Sequence, residues 1–154
     1  MSAVDALSTT HQSLFAAKQA KGLTFEQIGQ KIGRNEIWVA AVFYGQAKPL
    51  KEDLEKLANV LGLPLTSLNK ALGEHYFPER GQVTPMPPTD PLMYRLYEAL
   101  LVYGFPIKQV IHEKFGDGIM SAISFNAHVD KVQKDGQDMV KLTFIGKWLP
   151  YARW

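Results

Sequence analysis

Between Asp90 and Lys108 only two residues carry a formal charge, Arg95 and Glu98, in a stretch that is otherwise almost wholly apolar. A spacing of three sets both side chains on one face of a helix. Arginine offers a planar, permanently charged fork that suits a small oxyanion, and a neighbouring glutamate can orient that fork or move a proton. The same spacing equally suits a plain ion pair on a wet helix surface. Some twenty residues on, Gly116-Asp117-Gly118 precedes the hydroxyls of Ser121 and Ser124. Glycines there stop a helix and make a tight turn, and they would also let backbone N–H groups approach an anion closely. Either serine also fits as an ordinary strand residue. Gly-x-Ser-x-Gly is absent, and no base for a Ser-His-Asp relay sits at a recognisable motif.

Other chemistries find little support. The chain has no cysteine, which excludes thiol catalysis, disulfides and cysteine metal sites and fits a reducing compartment. His11, His75, His112 and His128 show no metal-ligand spacing, so each is expected on the surface or satisfied in a core, and no metal is implied. His112-Glu113 matches the start of a zinc-protease motif, but Gly116 stands where the second histidine belongs. At 154 residues, 46% hydrophobic and 21% charged, the composition is that of a globular protein with one compact domain, or one small domain plus a piece that needs partners. A net charge of +2 points to neither nucleic acid nor a membrane surface. Met1-Ser2-Ala3-Val4-Asp5 has no basic lead into an apolar core, and no apolar run could span a bilayer, so a cytoplasmic location is expected.

The elements that must position these residues fall into two halves. Residues 1–75 read as a bundle of five short helices. Ser8 or Thr9 caps the first, with Leu14, Phe15 and Ala17 inward and a stop at Gly22; Thr24 and Gln27 form a capping box for the second, carrying Phe25, Ile28 and Ile32. Asn35 caps a third with Trp38, Val39, Val42 and Phe43, ended by Gly45. Leu50, Leu54, Leu57 and Leu61 mark a fourth ended by Gly62, and Pro64 opens a fifth through Leu65, Leu68 and Leu72. Five of the nine prolines then lie between Pro78 and Pro91, alongside Arg80, Gly81 and Thr84, so residues 76–89 read as a linker. Residues 90–154 follow as a second domain, which holds Arg95, Glu98 and both serines. A helix capped by Asp90, with Pro91 in its first turn, runs to Gly104, and a second opens at Pro106 and ends near Gly116. Ser121 to Val132 alternates around Ile123, Phe125, Ala127 and Val129, Met139 to Ile145 holds Val140, Leu142 and Phe144, and Lys134-Asp135-Gly136 between them signals a turn. The fold class is therefore α+β. Two apolar helices and one β-hairpin can hardly bury their own surface, so this half is expected to interlock with another subunit.

Two resemblances attach to these segments. Leu23 to Gly33 followed by Asn35 to Tyr44 looks like the helix-turn-helix of repressor-type DNA-binding domains. Its second helix, however, has no Lys or Arg and one Glu, poor material for reading bases or meeting phosphates, and is expected to be a reused scaffold with no nucleic-acid partner. A regulator of that type, with the C-terminal half serving assembly alone, is the rival reading. A module that captures a small anion without catalysis is another.

The second resemblance is denser. Pro88-Thr89-Asp90-Pro91 with Tyr94-Arg95-Leu96-Tyr97-Glu98, Val102-Tyr103-Gly104, His112 to Ile119, Ser121 to Phe125 and the ending Gly146-Lys147-Trp148-Leu149-Pro150 closely resemble the cyanase family, also called cyanate hydratase or cyanate lyase. By that resemblance the catalytic Arg, Glu and Ser fall on Arg95, Glu98 and Ser121, with Ile119 and Ala122 joining Arg95 and Ser121 in substrate binding. It implies a lyase that decomposes cyanate with bicarbonate as co-substrate. Carbamate and carbon dioxide form first, and carbamate then breaks down to ammonia and carbon dioxide. It implies no metal or organic cofactor, no membrane, and a homodecamer of five dimers with sites where subunits meet.

Overall fold

The computed structural model describes residues 2–81 and 85–154; Met1 and, from the proline-rich stretch, Gln82, Val83 and Thr84 lie outside them. The chain divides into two compact units, Met1–Val83 and Thr84–Trp154.

The first unit holds five helices: α1 (Thr9–Ala20), α2 (Phe25–Ile32), α3 (Glu36–Phe43), α4 (Lys51–Leu61) and α5 (Leu65–Leu72). Local sequence starts most of them. Ser8 Oγ accepts the amide of His11 at the head of α1, Thr24 and Gln27 exchange both bonds of the capping box on α2, and Asn35 Oδ1 accepts the amide of Ile37 on α3. α4 is started differently. Its N-cap, Leu50, has no side-chain acceptor, and Asp53 turns back to take the Leu50 amide at 2.9 Å. Leu50 itself is exposed, contrary to its place in the expected leucine stripe, because it precedes the helix rather than riding on it.

Leu14, Ile28, Ile32, Val39, Val42, Phe43, Leu54, Leu57, Leu61, Leu68 and Leu72 form one buried core. Phe15, Phe25 and Phe43 pack edge to face, with centroids 5.1 to 6.2 Å apart. Asp53 is fully buried, yet its carboxylate receives Arg34 Nε at 2.7 Å and Nη2 at 3.3 Å. That pairing makes its burial tolerable. The chain beyond α5 stays on this unit: Arg80 Nε donates to the Gln46 carbonyl, Gly81 N to Gln46 Oε1, and Lys48 Nζ to the Glu74 carbonyl.

The second unit is simpler and differs from expectation. Pro91–Phe115 is one 25-residue helix, α6, not two helices broken at Gly104 and Pro106. Pro106 removes a single N–H, the one that would meet the Val102 carbonyl, and Val102 is exposed, so water can satisfy that oxygen. β1 (Gly118–Lys134) and β2 (Gln137–Pro150) then form an antiparallel hairpin. Both strands run past the expected segments. Pairing reaches Gly118 with Pro150, residues that carry no alternation signal. The turn is the expected one. Asp135 (φ 52°) and Gly136 (φ 76°) are both left-handed between paired Lys134 and Gln137, the mirror-image turn that matches strand twist.

The second unit has almost no core of its own. No residue of α6 is fully buried; Leu92, Leu100, Leu101 and Phe105 are 60 to 82% exposed. Among the described residues no helix is long and apolar enough to cross a membrane.

Candidate active site

α6 presents the charged pair. Asp90 Oδ1 accepts the Met93 amide at 2.9 Å and Pro91 needs no donor in the first turn, so the helix starts firmly one turn before Arg95. Arg95 Nη1 donates to Glu98 Oε2 at 2.6 Å, with side chains 71% and 46% exposed. The hydrogen bond that Arg95 donates to Glu98, reinforced by the carboxylate charge, raises the pKa of the Arg95 guanidinium above its ordinary value. Arg95 is thus a permanent cation whose fork is tethered at one nitrogen, and its other donors remain for an anion.

Ser121 is placed by an irregularity in the hairpin. Register runs through Met120 opposite Trp148, then resumes with Phe125 opposite Gly146, so Ser121, Ala122, Ile123 and Ser124 stand against Lys147 alone. The excess chain bulges, and Ser121 Oγ closes the bulge by accepting the amides of Ile123 and Ser124, each at 3.0 Å. Ser121 is 6% exposed, whereas Ile123 is 98% exposed. A strict two-residue alternation would have put Ser121, Ile123 and Ala127 on one face. No local pattern marks the break, because the bulge is defined only by how the two strands pair.

This geometry defines what Ser121 can do. Both lone-pair directions of its hydroxyl are taken by backbone N–H groups, so its proton is the part left to offer. The two groups that meet its oxygen are the backbone amides of Ile123 and Ser124, which make it an acceptor there. The amides of Ile123 and Ser124 are turned onto Ser121 Oγ. Ser124, Ala122 and Ile119 are exposed, Ile119 paired with Leu149 and Ala122 within the bulge.

Behind the bulge the hairpin base is seated on the end of α6. Gly116 caps the helix, Phe115 packs on Trp148 at 5.2 Å, and the Tyr151 amide donates to the Asp117 carbonyl at 3.2 Å. Gly118 is buried and extended against Trp148 and Leu149 rather than part of the turn. The chain brings Arg95 to Glu98, but among the described residues no hydrogen bond or ion pair joins either to Ser121.

The remaining candidates play other parts. His11 is 7% exposed, with Nδ1 against Ser8 Oγ at 2.8 Å and no hydrogen-bond partner for Nε2, so only half of the expected satisfied-core histidine is found. Burial lowers its pKa. Among the described residues no cluster of three His, Asp or Glu is placed to hold a metal ion. In the helix-turn-helix-like pair α2 and α3, Arg34 at the turn is engaged with Asp53 and Glu52, which neutralise the cation closest to the would-be reading helix.

The comparisons with known proteins converge. The family model described as Cyanate lyase C-terminal domain matches residues 85–153. Cyanate hydratase of Coprinopsis cinerea is 54% identical over 97% of this chain and 98% of its own length. That of Synechococcus sp. is 53% identical over 96% of each. The crystal structure of cyanase from T. urticae superposes with a TM-score of 0.79 at 34% identity, over 92% of this chain and 96% of that one.

Proposed function

The chain belongs to the cyanate hydratase (cyanase) family and is an enzyme that decomposes cyanate, and from that premise we propose that it does so with bicarbonate, at Arg95, Glu98 and Ser121, where subunits meet. The observation that carries the site is the state of its two donors among the described residues: a guanidinium tethered through Nη1 and a buried hydroxyl whose oxygen already accepts two amides.

Bicarbonate oxygen attacks the cyanate carbon, joining the two anions as a mixed anhydride dianion whose nitrogen takes the bicarbonate proton. Cleavage of the anhydride C–O bond releases carbon dioxide and leaves carbamate, which takes up protons and splits into ammonia and a second carbon dioxide. Overall, cyanate, bicarbonate and two protons become ammonia and two carbon dioxide. Holding two unit charges about 4 Å apart costs about 1 kcal/mol in bulk water and about 4 kcal/mol in a partly buried site. Arg95 offsets that repulsion, the Ser121 hydroxyl holds an oxygen, and Ile119 and Ala122 line the approach. Glu98 orients the fork or relays a proton. Orientation of the reactants contributes up to about 7–11 kcal/mol. The chemistry calls for no metal or organic cofactor.

A single chain offers one Arg95, not joined to Ser121, on a helix whose apolar residues are uncovered. Symmetric association would cover α6 and the hairpin and bring copies of Arg95, Glu98 and Ser121 together, as in a decamer of five dimers. Ammonia release from purified protein given cyanate, with and without bicarbonate, tests the proposal. Release only with both substrates supports it; release from cyanate alone overturns the bicarbonate role.

A further inference from the structure

Gly146 stands where the hairpin resumes its register, opposite Phe125 and next to the residue that faces the whole bulge. Its φ is not in the left-handed region, so conformational freedom is not why a glycine belongs there. Space is. A Cβ at position 146 would lie 2.4 Å from the Ser121 carbonyl oxygen and 2.6 Å from Met120 Cγ. Side-chain carbons do not approach a backbone oxygen so closely, and the backbone can yield only by moving the bulge.

We propose that Gly146 is a positioning residue for the cyanate reaction: its missing side chain lets the Ser121 backbone fold down onto β2, which buries the Ser121 hydroxyl and turns the Ile123 and Ser124 amides onto its oxygen. The proposal rests on Ser121 being the anion donor named above. Three observations meet at this point. The four-against-one register, the two 3.0 Å amide bonds to Ser121 Oγ and the burial of Ser121 all occur where the Ser121 carbonyl sits against position 146. Pushing that carbonyl outward by an ångström would swing the hydroxyl away from its two amides, and a donor displaced that far loses most of its catalytic value.

The contrast within the hairpin is informative. Gly118 is also crowded, with a Cβ falling 2.5 Å from Trp148 Cζ2 and 2.6 Å from the Leu149 carbonyl oxygen, but it lies at the closed base. Gly104 on α6, by contrast, has nothing within 4 Å in its own chain.

The test uses the full chain in its native assembly, with Gly146→Ala, Ser121→Ala and the double variant. Turnover is measured as cyanate-dependent ammonia release, and hydrogen exchange is followed across residues 119–126. Gly146→Ala is expected to lower kcat roughly 10²- to 10³-fold, the range for losing one oriented donor. It should also expose the Ile123 and Ser124 amides as Ser121→Ala does, while exchange in the rest of the hairpin stays native. The double variant should be no slower than Ser121→Ala, because Gly146 acts through that hydroxyl. Native exchange at Ile123 and Ser124 in Gly146→Ala overturns the proposal whatever the turnover, as does full additivity of the two losses. If the wild type fails to decompose cyanate, the functional reading falls while the exchange comparison still decides the positioning role. Should Gly146→Ala not fold, Met120→Ala/Gly146→Ala removes the thioether side of the crowding and leaves the carbonyl side. Native turnover in that pair, or failure of both variants to fold, overturns the proposal, since Gly146 would then serve Met120 packing or the hairpin as a whole.

Discussion

Arg95 Nη1 and Glu98 Oε2 lie 2.6 Å apart across one turn of α6, so the cation and its carboxylate are aligned by the helix itself. The alignment needs no tertiary contact. Both groups are therefore oriented toward each other by the chain alone.

Replacing Arg95 by Ala is expected to reduce turnover by roughly 10³-fold or more while leaving the oligomer intact, as ammonia release and size exclusion would show. Arg95→Lys keeps the charge but not the planar fork, and should fall between the two. An active Arg95→Ala protein would remove this residue from the mechanism.

The two serines should separate cleanly. Ser121→Ala deletes a buried donor and strands two backbone amides, so turnover should drop about 10²-fold or more. Ser124→Ala touches an exposed side chain and should stay near wild type. The reverse order in steady-state assays would shift the site to Ser124.

Acid should weaken the helical unit through His11. Burial holds its folded pKa below the ordinary value of about 6.5, so the neutral form is the one the fold accommodates. Its contribution is fully present above that value and is lost as pH falls through the lower, folded pKa. Tyr76, whose ring lies 6.1 Å away, has its pKa raised by burial and stays neutral in this range. Denaturant melts between pH 7.5 and 5 should therefore show declining stability, and His11→Gln should flatten the decline; an unchanged slope would count against His11 as its source.

Asp53 joins α4 to the turn before α3. Asp53→Ala removes the acceptor for the Leu50 amide and for Arg34, and should cost about 3 kcal/mol in denaturant melts. Asp53→Asn retains acceptor capacity without charge and should cost less. Equal losses would mean that the charge contributes nothing.

Legibility in the sequence followed the range of the interactions. The caps at Ser8, Thr24, Asn35 and Asp90 and the Asp135-Gly136 turn are decided within three or four residues, and each was readable as a local pattern. Arg95 with Glu98 belongs to the same class. Pro106 misled because its cost is local whereas the solvent exposure that lets a helix absorb it is not. The bulge was invisible for a related reason: it is a mismatch between strands, defined only when Met120 meets Trp148 and Phe125 meets Gly146.

By itself, then, the sequence determined the caps that start α1, α2, α3 and α6, the five-helix core, the hairpin turn, the resemblance to the cyanase family and the charged pair on α6, because all of these follow from neighbouring residues or from residue identity. The tertiary structure decided that α6 is continuous, that Asp53 is buried against Arg34, and that Ser121 rather than Ile123 turns inward with its hydroxyl proton free to give. These depend on which distant backbone atoms come to share the same space, and steric exclusion between such atoms leaves no periodic trace along the chain.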